Sequence, residues 1–146
     1  MTVMGGMSLL TKAESAAVIF DREANMTFAY YKGQPLGHYE FSAEKGLMLD
    51  LNIPESFQKM GLGREIFQDA MKMTKADKFT ATWIESLDYP DGISTNLRKY
   101  REARAGGFDV NAAAWETPSG GYARDAKFTN VSVRYLSNGV EATFTK

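Results

Sequence analysis

Two glycines on one short loop set the chemistry that this chain offers. Gln58-Lys-Met-Gly-Leu-Gly63 lies between a mostly apolar run, Gly46 to Ile53, and an amphipathic pattern that opens at Leu62. In that pattern Leu62, Ile66, Ala70 and Met73 recur every three or four positions, with Phe67 and Met71 beside them and charged residues opposite. The stretch therefore reads as strand, loop, helix. Pro54 cannot donate to a sheet ladder, so pairing of the strand ends there. The first amides of a helix lack carbonyl partners and carry the positive end of its dipole, so they hold an anion without any side chain. Gly61 and Gly63 keep a Cβ out of the anion's way. The same glycines also read as an ordinary tight turn before a helix. A dinucleotide fingerprint would need a further glycine near Ile66 and Phe67, and a P-loop would need Gly-Lys-Ser/Thr; neither is present.

Composition excludes several other chemistries. The chain has 146 residues, a length suited to one domain, and a formal net charge of -1, so it has no strong global pull toward nucleic acid or an anionic membrane. There is no cysteine, which removes disulfides, thiol nucleophiles and thiolate metal sites. A single histidine, His38, leaves no basis for a histidine metal site or a Ser-His-Asp triad. No apolar run is long enough to cross a bilayer, and MTVMGGMSLL lacks the pattern of a secretory signal. Charge is uneven: positions 98–146 hold 8 Lys/Arg against 5 Asp/Glu, and the remainder 9 against 13. The basic cluster Arg98, Lys99, Arg101, Arg104 reads as a solvated helix face or as a contact for a phosphate of a cofactor or an RNA.

The elements that position the loop follow from periodicity. Ala16 to Phe20, Met26 to Tyr31 and His38 to Phe41 read as strands, separated by the turns 21–25, 32–37 and 42–46. With the strand before the loop they make an antiparallel meander of about four strands. The helix runs from Leu62 to about Ala76, and Phe79 to Ile84 is the next strand, which permits a right-handed parallel crossover. Ser94 caps a helix that Gly106-Gly107 stops, 109–115 is a further short helix, and Thr117 to Gly121 breaks the chain. Asn138-Gly139 joins two final strands as a hairpin.

Gln58-Lys59-Met60-Gly61-Leu62-Gly63 resembles the Gln/Arg-x-x-Gly-x-Gly/Ala signature of the GCN5-related N-acetyltransferases, in the setting that family requires. The match is good from Leu47 to Ala76 and holds elsewhere in outline. It implies an α/β fold: a mixed, mostly antiparallel twisted sheet, a central strand–helix–strand unit and a C-terminal hairpin. It implies acetyl-CoA as co-substrate and no metal. The pyrophosphate would lie on Gln58, Lys59, Met60, Gly61, Leu62, Gly63 and Arg64. The pantetheine arm would run along Leu51, Asn52 and Ile53, where the strand splays from its neighbour, and an N–H near Asn52 or Ile53 would polarise the thioester. The acceptor is expected to be a primary amine on a macromolecule (a protein lysine or N-terminus, or an aminoacyl-tRNA). The alternatives are a small amine, or a non-catalytic member that serves as an interaction module.

The family's second landmark, an Asn, then a Tyr, then Gly-Phe, fits two registers. One uses Asn96 and Gly107-Phe108, with Ala103 at the tyrosine position. The preferred one uses a helix from Ser119 to Ala126 and Lys127-Phe128, with Tyr122 as the acid that protonates the departing thiolate. Positions 88–118 then become an insertion in a single domain spanning 1–146, and 1–15 a poorly structured start. Asp50 and Glu40 are the candidate bases, although a carboxylate on such a strand also reads as a solvent-facing residue. His38 is a further candidate, and a lone strand histidine also reads as structural. Only about sixteen residues precede the first strand, where the family usually places a strand and two helices. The acceptor wall is then missing, supplied by 88–121, or supplied by a partner, a homodimer included. The arrangement also loosely resembles acetyltransferase-like domains of bacterial polymorphic toxins. A cytoplasmic site of action and no membrane contact are expected.

Overall fold

Alternation of apolar and polar side chains divides this protein into one sheet with a dry face and an open face. The computed structural model describes residues 17–146, so the expectations for 1–15 and for Ala16 lie outside the described residues. The strands are β1 (Ile19–Arg22), β2 (Met26–Tyr31), β3 (Gln34–Ser42), β4 (Gly46–Leu51), β5 (Lys78–Ile84), β6 (Asn130–Leu136) and β7 (Gly139–Thr145). The helices are α1 (Leu62–Thr74), α2 (Thr95–Ala105), α3 (Val110–Trp115) and α4 (Pro118–Asp125), and a single 3-10 turn covers Glu55–Phe57. The seven strands form one sheet in the order β1-β2-β3-β4-β5-β7-β6. Every pairing is antiparallel except β4 with β5, the two strands that α1 joins. This is the mixed, mostly antiparallel sheet with a central strand–helix–strand unit and terminal hairpin that the sequence implies.

Phe79, Ala81 and Trp83 of β5 lie opposite Phe144, Ala142 and Val140 of β7, and all six are buried. The helices cover this face. Phe67 of α1 packs on Phe79 at 5.0 Å between ring centroids, Tyr100 of α2 on Trp83 at 5.9 Å, and Trp115 of α3 on Phe144 at 5.0 Å. Each full burial of such a side chain stabilises the fold by roughly 1.5–3 kcal/mol. Segment 88–118 is thus part of the core, with Leu97, Tyr100, Ala113 and Ala114 buried. A polar cluster ties β1, β3 and α1 together: the Arg22 guanidinium donates to both Asp69 oxygens at 2.9 and 3.0 Å, and the Tyr39 hydroxyl donates to Asp69 at 2.7 Å.

Two sequence expectations are corrected locally. The turn expected over 32–37 is only Lys32-Gly33, both at positive φ (50° and 78°), as a two-residue hairpin turn requires. Pro35 is tolerated within β3 because it lies at a register shift against β2 and outside the Gly37–Ser42 span that pairs with β4. The break expected over 117–121 is the start of α4, one residue ahead of the Ser119 start that the preferred register gave that helix. The Thr117 hydroxyl accepts from the Gly120 N–H at 2.9 Å, and Pro118 occupies the first helical position, where its missing N–H costs nothing.

Candidate functional site

β4 and β5 part company early. Their parallel pairing holds only Leu47 to Phe79 and Met48 to Thr80, although β4 continues to Leu51 and β5 to Ile84. The Asn52 N–H donates to the Leu36 carbonyl at 2.8 Å, continuing the β3 ladder. Backbone groups alternate sides along a strand, so the N–H groups of Leu51 and Ile53 turn away from β3, toward the gap. Among the described residues the Ile53 N–H, unlike that of Asn52, donates to no protein acceptor. Leu49, Leu51 and Ile53 are half-buried on the helix-covered face, whereas Asp50 and Asn52 are exposed on the other.

The loop after β4 is braced from within. The Gln58 side-chain amide donates to the Ile53 carbonyl at 3.1 Å, so Gln58 fastens the loop to the strand end. Lys59 takes a positive φ of 68°, and Met60 is half exposed. Gly61 is the N-cap of α1 at φ 79°, no side chain caps the helix, and a Cβ at Gly61 would meet open space. Glu65 donates to the Gly61 carbonyl at 3.0 Å, which closes the first turn. The amides of Leu62, Gly63 and Arg64 find no acceptor among the described residues. This is a bare, positively polarised helix start.

α4 brings Tyr122 to that same turn. A Cβ added at Gly63 would collide with the Tyr122 hydroxyl and would lie 3.6 Å from the Ile53 side chain. Glycine at 63 is therefore what lets the phenol reach the junction of β4 and α1. The Tyr122 ring packs on Phe67 at 5.7 Å, and the Arg64 guanidinium lies over it at 5.7 Å and pairs with Asp125. Burial raises the Tyr122 pKa above its ordinary value, and the Arg64 charge only partly offsets this. The phenol stays protonated through the neutral range.

The structure thus brings together Ile53, Gly61, Leu62, Gly63, Arg64 and Tyr122, with Leu51 and Asn52 at the strand end and Gln58, Lys59 and Met60 on the loop. Asp50 stands on the opposite face of β4, across from His38. Glu40 lies opposite Met48, four residues back from Asn52, or roughly 13 Å at strand rise. Sequence reasoning missed the link across the mouth of the splay: the Asn52 side-chain amide donates to the Asp88 carbonyl at 3.1 Å. Asn96, singled out only in the register not preferred, accepts from the Ser119 N–H at 2.9 Å and holds the start of α4 against α2, a pairing that neither register foresaw. Neither pairing leaves a sequence signal, because each joins segments more than twenty residues apart.

No family model matches the chain, and no curated protein does. Among solved structures it is similar to a Bacillus subtilis acetyltransferase in complex with CoA, at 11% identity, with 88% of this chain and 97% of that chain covered and a TM-score of 0.41. At that distance the likeness concerns the course of the chain only. No helix of the described residues is long and apolar enough to cross a membrane.

Proposed function

We propose that this protein is an acetyl-CoA-dependent N-acetyltransferase. One observation carries the reading: the unpaired first turn of α1, the free Ile53 N–H and the Tyr122 hydroxyl converge where β4 separates from β5. The pyrophosphate of CoA binds the amides of Leu62, Gly63 and Arg64, which need no side chain to do it. The pantetheine arm lies between β4 and β5 and pairs with the free edge of β4. The Ile53 N–H then faces the thioester oxygen and stabilises the charge that develops there.

The step is a simple exchange. The amine nitrogen attacks the thioester carbon, the C–N bond forms, the C–S bond breaks and CoA leaves as thiolate. The Tyr122 hydroxyl gives its proton to that sulfur, and the amine's proton passes to a carboxylate or to water. Asp50 is the nearer candidate to the strand end, and Glu40 the more remote. The site is open on the Asp50 face, which favours an amine carried on a macromolecule.

The test is thiol release from acetyl-CoA by the purified chain with four acceptors: polylysine, a peptide with a free N-terminus, an aminoacyl-tRNA and spermidine. Release above the buffer rate with any of them supports transfer. Binding of acetyl-CoA without release with any acceptor favours the non-catalytic reading.

A further inference from the structure

The basic cluster on α2 takes no part in the site at the splay, yet it borders a second hollow. Leu97, Tyr100, Arg101 and Arg104 are spaced three and four apart, so they form one stripe along α2. That stripe faces Tyr135 and Val140 of the β6–β7 hairpin across a groove of about 280 Å3. Tyr135 lies opposite Val140, and Val140 opposite Trp83, so Tyr135 sits on the helix-covered face at the outermost strand. The groove is thus on the far side of β5 from the gap between β4 and β5.

Two buried side-chain polar atoms find no partner among the described residues, the Trp83 indole nitrogen and the Tyr100 hydroxyl. Trp83 does not border the groove, whereas Tyr100, only 2% exposed, does. Leaving a buried donor unpaired is costly, and native folds rarely do it. Burial and the neighbouring Tyr135 phenol push the Tyr100 pKa up to about 12, and the Arg104 charge only partly offsets them. The hydroxyl therefore keeps its proton and is a donor without an acceptor. Tyr135 and Arg104, the groups that act on it, both line the groove, so the hydroxyl is turned to the groove side.

Charge narrows what could satisfy it. On α2, Arg98 pairs with Asp91 at 2.9 Å, Lys99 with Glu102 at 3.6 Å and Arg101 with Glu85 at 3.3 Å. Arg104 enters no ion pair among the described residues. One of its nitrogens donates to the Phe108 carbonyl at 2.9 Å, which steadies the guanidinium and leaves its other N–H groups available. The groove therefore offers one uncompensated positive charge and one buried phenol donor, beside the apolar Leu97 and Val140. A carboxylate matches that set: it carries one negative charge and accepts at both oxygens. A phosphate monoester would bring close to two charges to a site that balances one.

We propose that the groove between α2 and the β6–β7 hairpin binds the carboxylate of a small acid with an apolar body, through the Arg104 guanidinium and the Tyr100 hydroxyl. The apolar body lies against Leu97 and Val140, flanked by the exposed ring of Tyr135. The inference stands apart from the acetyltransferase reading, because it uses no residue of the splay. Aromatic and aliphatic acids share this chemistry.

The experiment titrates benzoate and, separately, hexanoate into the 15N-labelled full chain, with benzamide and phenyl phosphate as comparisons. Saturable shifts at the hairpin positions 136–139 and at the Arg104 side chain are expected for at least one acid, with a Kd of about 1 mM. The tighter acid identifies the body as aromatic or aliphatic. Arg104→Gln and Tyr100→Phe should each weaken its binding about fivefold or more. Tyr100→Phe also separates a ligand role from a structural one. Its hydroxyl is unpaired in the fold, so its loss should leave the urea midpoint unchanged or raised. A lowered midpoint would show the hydroxyl already paired and would overturn the proposal. Absence of saturable shifts with both acids, unchanged affinity in either variant, or binding of benzamide or phenyl phosphate as tight as that of the acids would overturn it equally.

Discussion

Alanine at position 63 would test the geometry of the site with a single methyl group. Its Cβ would collide with the Tyr122 hydroxyl, and the next atom, the Tyr122 Cζ, would lie at 3.3 Å. Overpacking of a tight contact costs roughly 1–3 kcal/mol. Alanine also returns up to about 1 kcal/mol within a helix. With that gain returned in full, the net loss for Gly63→Ala is about 0–2 kcal/mol, or up to roughly 6 °C in Tm for a chain of this size. Removing the hydroxyl removes the nearest clash. In the Tyr122→Phe background the same substitution should be close to neutral, because the helix gain remains and only a 3.3 Å contact must relax. The double-mutant cycle should thus show a coupling of about 1–2 kcal/mol between positions 63 and 122. Urea denaturation of the four proteins measures it. An equal cost in both backgrounds would refute the placement of the phenol at the first turn of α1, and with it the role given to Tyr122.

Further outcomes follow from the same geometry. Tyr122→Phe should lower turnover about a hundredfold with acetyl-CoA affinity unchanged, as loss of a general acid does; wild-type turnover would remove Tyr122 from the mechanism. The acid must be protonated, and its pKa lies above the ordinary 10.0, so kcat should show no fall between pH 7 and 9 that Tyr122→Phe abolishes. In the middle of α1, burial pushes the Asp69 carboxyl up, but the hydrogen bonds from Arg22 and Tyr39 and the nearby cations together outweigh it, leaving its pKa below 3.8. A lowered carboxylate stabilises the fold above its unfolded pKa and loses that contribution as pH falls through the folded one. Asp69→Asn should therefore cost about 1.5–3 kcal/mol at neutral pH, with the deficit shrinking below pH 4, measured by urea denaturation against pH.

Local patterns made much of the fold legible. The three-and-four spacing from Leu62 marked α1, whose observed bounds are Leu62–Thr74. The alternation in 79–84 marked β5, and Asn138-Gly139 marked the hairpin that pairs Leu136 with Gly139. What the sequence hid was long-range. β7 inserts between β5 and β6, an order that only the return of the hairpin across the sheet establishes. Thr117-Pro118 looked like a breaker because Pro and Gly cluster there, yet a hydroxyl before a proline is also a helix start. At the site, the loop glycines and Tyr122 were legible from their context. The reason for Gly63 was not, since it depends on a phenol 59 positions further along the chain. The bond from the Asn52 side chain to the Asp88 backbone carbonyl was equally hidden, because it joins residues 36 positions apart.

Calorimetric titration with acetyl-CoA, of wild type and of Gly61→Glu, tests the central claim most directly. Gly61 touches nothing that a side chain would displace, but its φ of 79° and its place before the open amides make it sensitive to a bulky anion. Saturable one-site binding by wild type, weakened at least tenfold in Gly61→Glu, is the expected result. No binding by either protein, or equal binding by both, would contradict the assignment of the α1 start as the pyrophosphate site.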